Sequence, residues 1–325
     1  MEENIFENRA EIEKLNVAVS AIKEQLGKAI FGQERVIELM IVGLLCDGHL
    51  LMEGVPGIAK TLLSRLFAKS LNISFKRIQF TPDLMPSDVL GTSIFNPKTL
   101  EFEYRKGPVF GNFILIDEVN RSPAKTQASL FELMEERQVT MDGTTYPMAR
   151  PFMVVATQNP VEQEGTYRLP EAQLDRFLLN IMMDYPSAAD EETMLRHYGK
   201  TSTSKVLEEM QPVMNADQIV ALREIVTQVI VEDPLITYIT NIVQATRNHR
   251  NIELGASPRA SIALLKASKA YAAMNERYFV IPDDIKTIGL DTLRHRIMLT
   301  PEAEIEGITA DVLLKELFDT VEIPR

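Results

Sequence analysis

Apolar positions along this chain follow two regimes. From about Glu34 to Met182, short apolar runs alternate with stretches at helical spacing. His49 to Met52, Ser74 to Phe80, Phe113 to Ile116, Phe152 to Ala156 and Phe177 to Met182 read as strands. Phe113 to Ile116 is continuously apolar, as expected of a strand buried on both faces of a parallel sheet. Between the strands, helical spacing marks Glu34 to Cys46, a segment running to about Leu71, and one through Leu130, Leu133 and Met134. Ser122-Pro123 signals the start of the last, with Ser as N-cap and Pro in the first turn. Strands alternating with helices predict an α/β fold, a parallel sheet covered on both sides.

Two segments break the alternation. Thr92 to Phe95 and Leu100 to Tyr104 read as a hairpin around Asn96-Pro97-Lys98-Thr99. Val139 to Asp142 and Thr145 to Met148 read as another, turning at Asp142-Gly143. Neither has an evident core role; each is either a decorated loop or a contact surface for a partner. After Pro186 helical periodicity takes over. Ser187 caps a helix through His197, a polar stretch from Tyr198 to Lys205 follows, and further helices suit Ala216 to Val229, Pro234 to Asn248, Pro258 to Met274, Pro282 to Arg294 and Ala310 to Thr320. Asp233-Pro234 and Ser257-Pro258 have the N-cap and first-turn pattern. These changes divide the chain into residues 1–185, an α/β domain with hairpins near 92–105 and 138–149, and residues 186–325, a smaller all-α domain. Met1 to Lys28 reads as an acidic amphipathic helix with Ile12, Leu15, Val19, Ile22 and Leu26 on one face.

At 325 residues there is room for two cores. A formal charge of −12 disfavours a whole-surface nucleic-acid binder, leaving only a local basic patch open. The one cysteine, Cys46, lies in an apolar run and reads as a core thiol. With no signal peptide and no apolar stretch long enough for a bilayer, a reducing cytoplasm is the expected setting.

The candidate chemistry starts at Gly54-Val55-Pro56-Gly57-Ile58-Ala59-Lys60-Thr61, between a strand and a helix that opens with Leu62. Backbone N–H groups at a helix N-terminus favour an anion. Lys60 adds a cation for terminal phosphates, and the Thr61 hydroxyl can ligate Mg²⁺. The pattern G-x-x-x-x-G-K-[ST] is broken once, by Ala59 in place of the second Gly. Ala59 keeps its N–H, so the cradle survives if that residue is already helical, with Gly57 and Pro56 supplying the bend. A bare Gly/Pro turn is the plainer alternative. The Phe113 run ends in Asp117-Glu118. Ligands of open parallel sheets bind beyond the carboxyl ends of strands, where Asp117 is suited to hold Mg²⁺ through water and Glu118 to orient the attacking water.

The loop, Asp117-Glu118-Val119-Asn120-Arg121-Ser122-Pro123-Ala124-Lys125, Ala156-Thr157-Gln158-Asn159-Pro160 and Leu169-Pro170-Glu171-Ala172-Gln173-Leu174-Asp175-Arg176-Phe177 together resemble the MoxR family of AAA+ ATPases. The resemblance runs from about Phe31 to the helical end. It implies a P-loop NTPase with a five-stranded parallel sheet of order 5-1-4-3-2 and an α-helical lid. ATP and Mg²⁺ are the implied cofactors, with Gly54 to Leu62 and Asp117 around the nucleotide. Asn159 is implied as the sensor of the attacking water or γ-phosphate, although an Asn before Pro is also an ordinary turn residue. Arg176 is implied as an arginine finger reaching a neighbouring subunit, a surface ion pair with Asp175 or Glu171 being the alternative. Arg259 is implied as a second sensor from the lid, and Phe31-Gly32-Gln33 as the segment beside adenine. The implied activity is ATP hydrolysis in a ring, most simply a hexamer, driving chaperone-like remodelling of client proteins. A partner with a von Willebrand factor A domain is part of that implication. A nucleic-acid motor, a motor subunit of the metal-chelatase type and a non-hydrolysing scaffold are the alternatives.

Overall fold

In the computed structural model, which describes residues 2–159, 167 and 169–324, five parallel strands form one sheet. They are β1 (Leu50–Gly54), β2 (Phe75–Gln79), β3 (Phe113–Asp117), β4 (Met153–Gln158) and β5 (Leu179–Met183). Read from one edge the order is β5-β1-β4-β3-β2, as expected. Successive side chains of a strand point to opposite faces, so each central strand feeds two cores. Leu50, Met52, Leu115 and Val155 enter one core with helices Glu34–Leu45 and Lys60–Ser70. Leu51, Ile114, Ile116 and Val154 enter the other, under helix Ala124–Glu136. The apolar runs of β3 and β4 exist because both of their faces are buried.

Both hairpins form. Gly91–Asn96 pairs with Glu101–Lys106, and Gln138–Met141 with Thr144–Pro147. Asp142 (φ 50°) and Gly143 (φ 78°) make the second turn, both left-handed as a two-residue hairpin turn requires. The hairpins touch each other: Ser93 Oγ donates to the Asp142 carboxylate, and the Tyr104 and Tyr146 rings lie 4.7 Å apart.

The helical part contains Ala188–Tyr198, Ala216–Thr227, Asp233–Arg247, Pro258–Met274, Pro282–Leu293 and Ala310–Thr320. Ser187 and Ser257 cap their helices as expected, accepting from the N–H of Asp190 and Arg259. Other starts are shifted. Asp233 lies inside its helix behind Glu232, and Pro123, not Ser122, precedes Ala124–Glu136. The end of the polar stretch opens a helix, Thr203–Glu209, capped by Ser202 and anchored by buried Val206. The part expected to be all-α also holds a short antiparallel ladder, Ile252–Leu254 with Met298–Leu299, too brief to produce a period-two signal. Helix Glu2–Gly27 buries Ile12, Leu15, Val19, Ile22 and Leu26 and packs on both Lys60–Ser70 and Pro258–Met274, tying the two parts together. Met1 and Pro160 lie outside the described residues. Among those described, no helix is long and apolar enough to cross a membrane. Cys46, expected in the core, is half-buried at the end of helix Glu34–Leu45; desolvation pushes its thiol up to about 12, and its Sγ donates to the Lys266 carbonyl.

One buried histidine holds three elements. His49, just before β1, accepts at Nδ1 from the Val154 N–H (3.0 Å) and donates from Nε2 to the Met134 carbonyl (3.0 Å). Burial, then the charge of Arg137, pull its pKa from 6.5 down to about 4. Between those values the unfolded chain binds the extra proton. Stability present above pH 6.5 is therefore lost as pH falls towards 4, by about 3 kcal/mol from this residue. Buried His295, also depressed, adds to the same slope. Chemical denaturation between pH 7 and 4.5 should show the loss, and His49→Gln should flatten part of it; an unaltered slope would remove His49 from this account.

Candidate nucleotide site

The carboxyl ends of β1, β2, β3 and β4 meet at one edge of the sheet around a cavity of about 430 Å³. Val55, Pro56, Gly57, Ala59, Lys60, Thr61 and Leu62 form one wall, and Arg77, Gln79, Asp117, Glu118, Thr157 and Asn159 the other. Gly54 and Ile58 do not line it. Gly54 ends β1, where a Cβ would meet the Met183 carbonyl at 2.6 Å, and Ile58 is buried beneath the loop. Gly57 has φ +89°, with open space where a Cβ would stand, so its backbone alone demands glycine. Ala59 differs from expectation. It is not yet helical but left-handed (φ 64°, ψ 24°), at the N-cap of Lys60–Ser70. A left-handed residue followed by helical ones turns successive N–H groups into an anion-binding concavity. Alanine accepts about 1 kcal/mol or more of strain to do so. Lys60 Nζ donates to the Gly54 carbonyl and lies 3.5 Å from that of Gln158. Burial pulls its pKa down, while Asp117, Glu53 and Glu118 oppose that shift.

Opposite the loop, Thr157 Oγ1 donates to Asp117 Oδ1 at 3.2 Å and accepts from the Glu118 N–H at 3.0 Å. Glu118 is itself left-handed (φ 58°, ψ 52°), a conformation rare for a non-glycine residue and characteristic of functional turns. Its Oε2 accepts from Gln79 Nε2 at 2.7 Å and pairs with Arg121 Nε at 3.1 Å. Arg77 Nε donates to Asp117 Oδ2 at 2.6 Å. In the sequence, Thr157 stood out only within the Ala156 to Pro160 motif, without a role, and Arg77 and Gln79 were not singled out at all. Their only signal is that Arg77 and Gln79 alternate along a strand and so share its face.

Arg176 and Arg259 do not line this cavity. They meet elsewhere, on Glu135 near the end of Ala124–Glu136. Arg259 Nη2 donates to Glu135 Oε1 at 3.0 Å, Arg176 Nε lies 3.9 Å from Oε2, and Arg176 Nη1 donates to the Phe131 carbonyl. Asp175, a candidate partner for Arg176, binds other groups: Arg296 Nε at 2.8 Å and the Ser257 hydroxyl at 2.8 Å. Since Ser257 caps the helix that carries Arg259, Asp175 fixes the two arginines relative to each other. The carboxylate that gathers them, Glu135, was unmarked in the sequence. Phe31-Gly32-Gln33 is also outside the cavity lining. Gln33 Nε2 donates to the Asp184 carbonyl at 3.0 Å, and the Phe31 ring stands 5.4 Å from that of His197. Gly32 has φ +68°, where a Cβ would lie 2.9 Å from Asp190 Oδ2. This segment packs where β5 gives way to the helical part.

The sheet order, the left-handed phosphate-type loop and the paired carboxylates define a AAA+ ATPase. The family model for "ATPase family associated with various cellular activities (AAA)" matches residues 49–179, and that for "AAA lid domain" residues 244–317. Chaperone MoxR1 of Mycobacterium tuberculosis is 41% identical, over 97% of this chain and 84% of that protein. YeaC of Bacillus subtilis is 49% identical over 96% and 97%. A solved structure from Cytophaga hutchinsonii superposes with a TM-score of 0.91 at 41% identity, covering 99% of each chain. The chain belongs to the MoxR family of AAA+ ATPases.

Proposed function

We propose that the cavity binds ATP with Mg²⁺ and that a second copy of the chain completes it for hydrolysis, within a ring that is most simply hexameric. Within the Gly54 to Leu62 segment, the amides of the lining residues Gly57 and Ala59 to Leu62 and the Lys60 ammonium would hold the phosphates. Thr61 and Asp117 are hard oxygen donors on one cavity, the kind of set Mg²⁺ takes together with phosphate oxygens and water. The bound metal would neutralise charge on the phosphates. Glu118 orients the water and Asn159 senses the reacting phosphate. Phe31-Gly32-Gln33, packed where β5 gives way to the helical part, would stand on the side of the base. The observation that carries the shared-site reading is the gathering of Arg176 and Arg259 on Glu135, outside their own chain's phosphate cavity. Two cations fixed together suit a neighbour's triphosphate better than their own. Arg259 thus serves the same interface as Arg176, instead of closing its own chain's lid.

Residues 1–185 and 186–325 would act as two bodies whose relative position follows the nucleotide state. The joined hairpins would pass that motion to a client protein in a cytoplasmic, chaperone-like role of the kind named for MoxR1. A von Willebrand factor A domain partner fits this role. The test is ATP turnover per protomer across a hundredfold range of protein concentration. It should rise steeply as rings assemble and then level off; constant turnover by a stable monomer would refute the shared site.

A further inference from the structure

We infer that Arg77 is the resident counter-cation of Asp117 and sets how strongly nucleotide binding depends on magnesium. This rests on the nucleotide reading above. Arg77 stands on edge strand β2, whose parallel register brings Gln79 opposite Asp117. Its guanidinium reaches the cavity and donates to Asp117 Oδ2 at 2.6 Å, while the Thr157 hydroxyl holds Oδ1 at 3.2 Å. The two partners are unequal. Thr157 is buried, whereas the Arg77 side chain is 51% exposed against 11% for Asp117.

A half-solvated guanidinium leaves a carboxylate at little cost. Thr157 keeps the carboxylate in place after it leaves. A dication bound through Asp117 and a guanidinium on the same oxygen repel each other across a few ångströms of partly desolvated space. Magnesium therefore either binds more weakly beside Arg77 or displaces it. Arg77 lines the same cavity as Lys60, so its charge stays close to the metal even when the guanidinium leaves Asp117. The outcome is an exchange. Without metal, Arg77 neutralises Asp117 and leaves the pocket receptive to an anion. With metal, Asp117 would serve the metal and Arg77 would stand aside as a nearby positive charge that opposes it.

The experiment measures the Kd of mant-ADP by fluorescence for the full chain, once in EDTA and once in saturating MgCl₂. The ratio of the EDTA value to the MgCl₂ value contains chelation of the metal by free nucleotide, which is the same for every variant and cancels when variants are compared. In Arg77→Gln the ratio should rise about three- to tenfold over wild type, because a nearby positive charge no longer opposes the metal. Arg77→Lys, which keeps the charge, should stay within about twofold. In an Asp117→Asn background, Arg77→Gln should no longer change the ratio. Equal weakening in both buffers would make Arg77 a plain phosphate ligand and overturn the inference, as would a lower ratio. A wild-type chain that binds mant-ADP in neither buffer would overturn the nucleotide reading itself, and this inference with it.

Discussion

Arg176→Ala should bind ATP within a few-fold of wild type and turn it over about 10³–10⁵ times more slowly, the range that arginine fingers supply. The small effect on binding follows from position. Arg176 contributes nothing to the wall of its own cavity, and among the described residues it meets the Phe131 carbonyl and Glu135. The large effect on rate follows from timing. Charge spreads over the equatorial oxygens as the terminal phosphoryl leaves, so a guanidinium held close and partly desolvated acts mainly on the transition state. The truncation should not unfold the protein, because Asp175, Ser257 and Arg296 still hold the surrounding turn. Single-turnover phosphate release with equilibrium binding of a fluorescent ATP analogue separates the two quantities. A matching loss in both would make Arg176 an ordinary binding or folding residue.

Glu118→Gln should retain ATP and release phosphate about 10²–10⁴ times more slowly, the range for removing a positioned general base. The amide has the size of the carboxylate and can still accept from Gln79 Nε2, which now meets Glu118 at 2.7 Å. The left-handed backbone and its N–H bond to Thr157 do not depend on the side chain, so geometry persists while basicity is lost. ATP recovered intact from the isolated variant, together with any trapped client, is the expected readout. Full activity would reject Glu118 as the group that orients water.

The legible part of this molecule was written in contiguous residues. Phe113 to Asp117 announces both a doubly buried strand and the carboxylate at its exit, because burial and function are read from the same run. The loop from Gly54 to Thr61 is legible for the same reason. One condition attached to it is not met: the cradle was to survive if Ala59 is already helical, whereas Ala59 is left-handed at the N-cap, which also turns successive N–H groups into a concavity. What stayed hidden depends on register and packing. Arg77 meets Asp117 because β2 lies beside β3 in one particular alignment, which no local pattern encodes. Glu135 meets Arg259 across a sequence separation of 124 residues, through a helix that also carries ordinary exposed acids. Helical spacing put Arg259 near a helix start but could not bring it to Glu135. The short ladder at Ile252–Leu254 escaped because three residues are too few to show alternation.

On the proposed mechanism, one chain's Glu118 works with another chain's Arg176. Mixing the two inactive variants tests it most directly. Glu118→Gln subunits keep the finger, and Arg176→Ala subunits keep the base, so random rings contain some interfaces with both. After dissociation and reassembly at equal amounts, turnover should recover to about a quarter of wild type, the share of head-to-tail contacts that join the intact halves. A mixture as inactive as its parents, with mixed rings shown to form, would contradict the account.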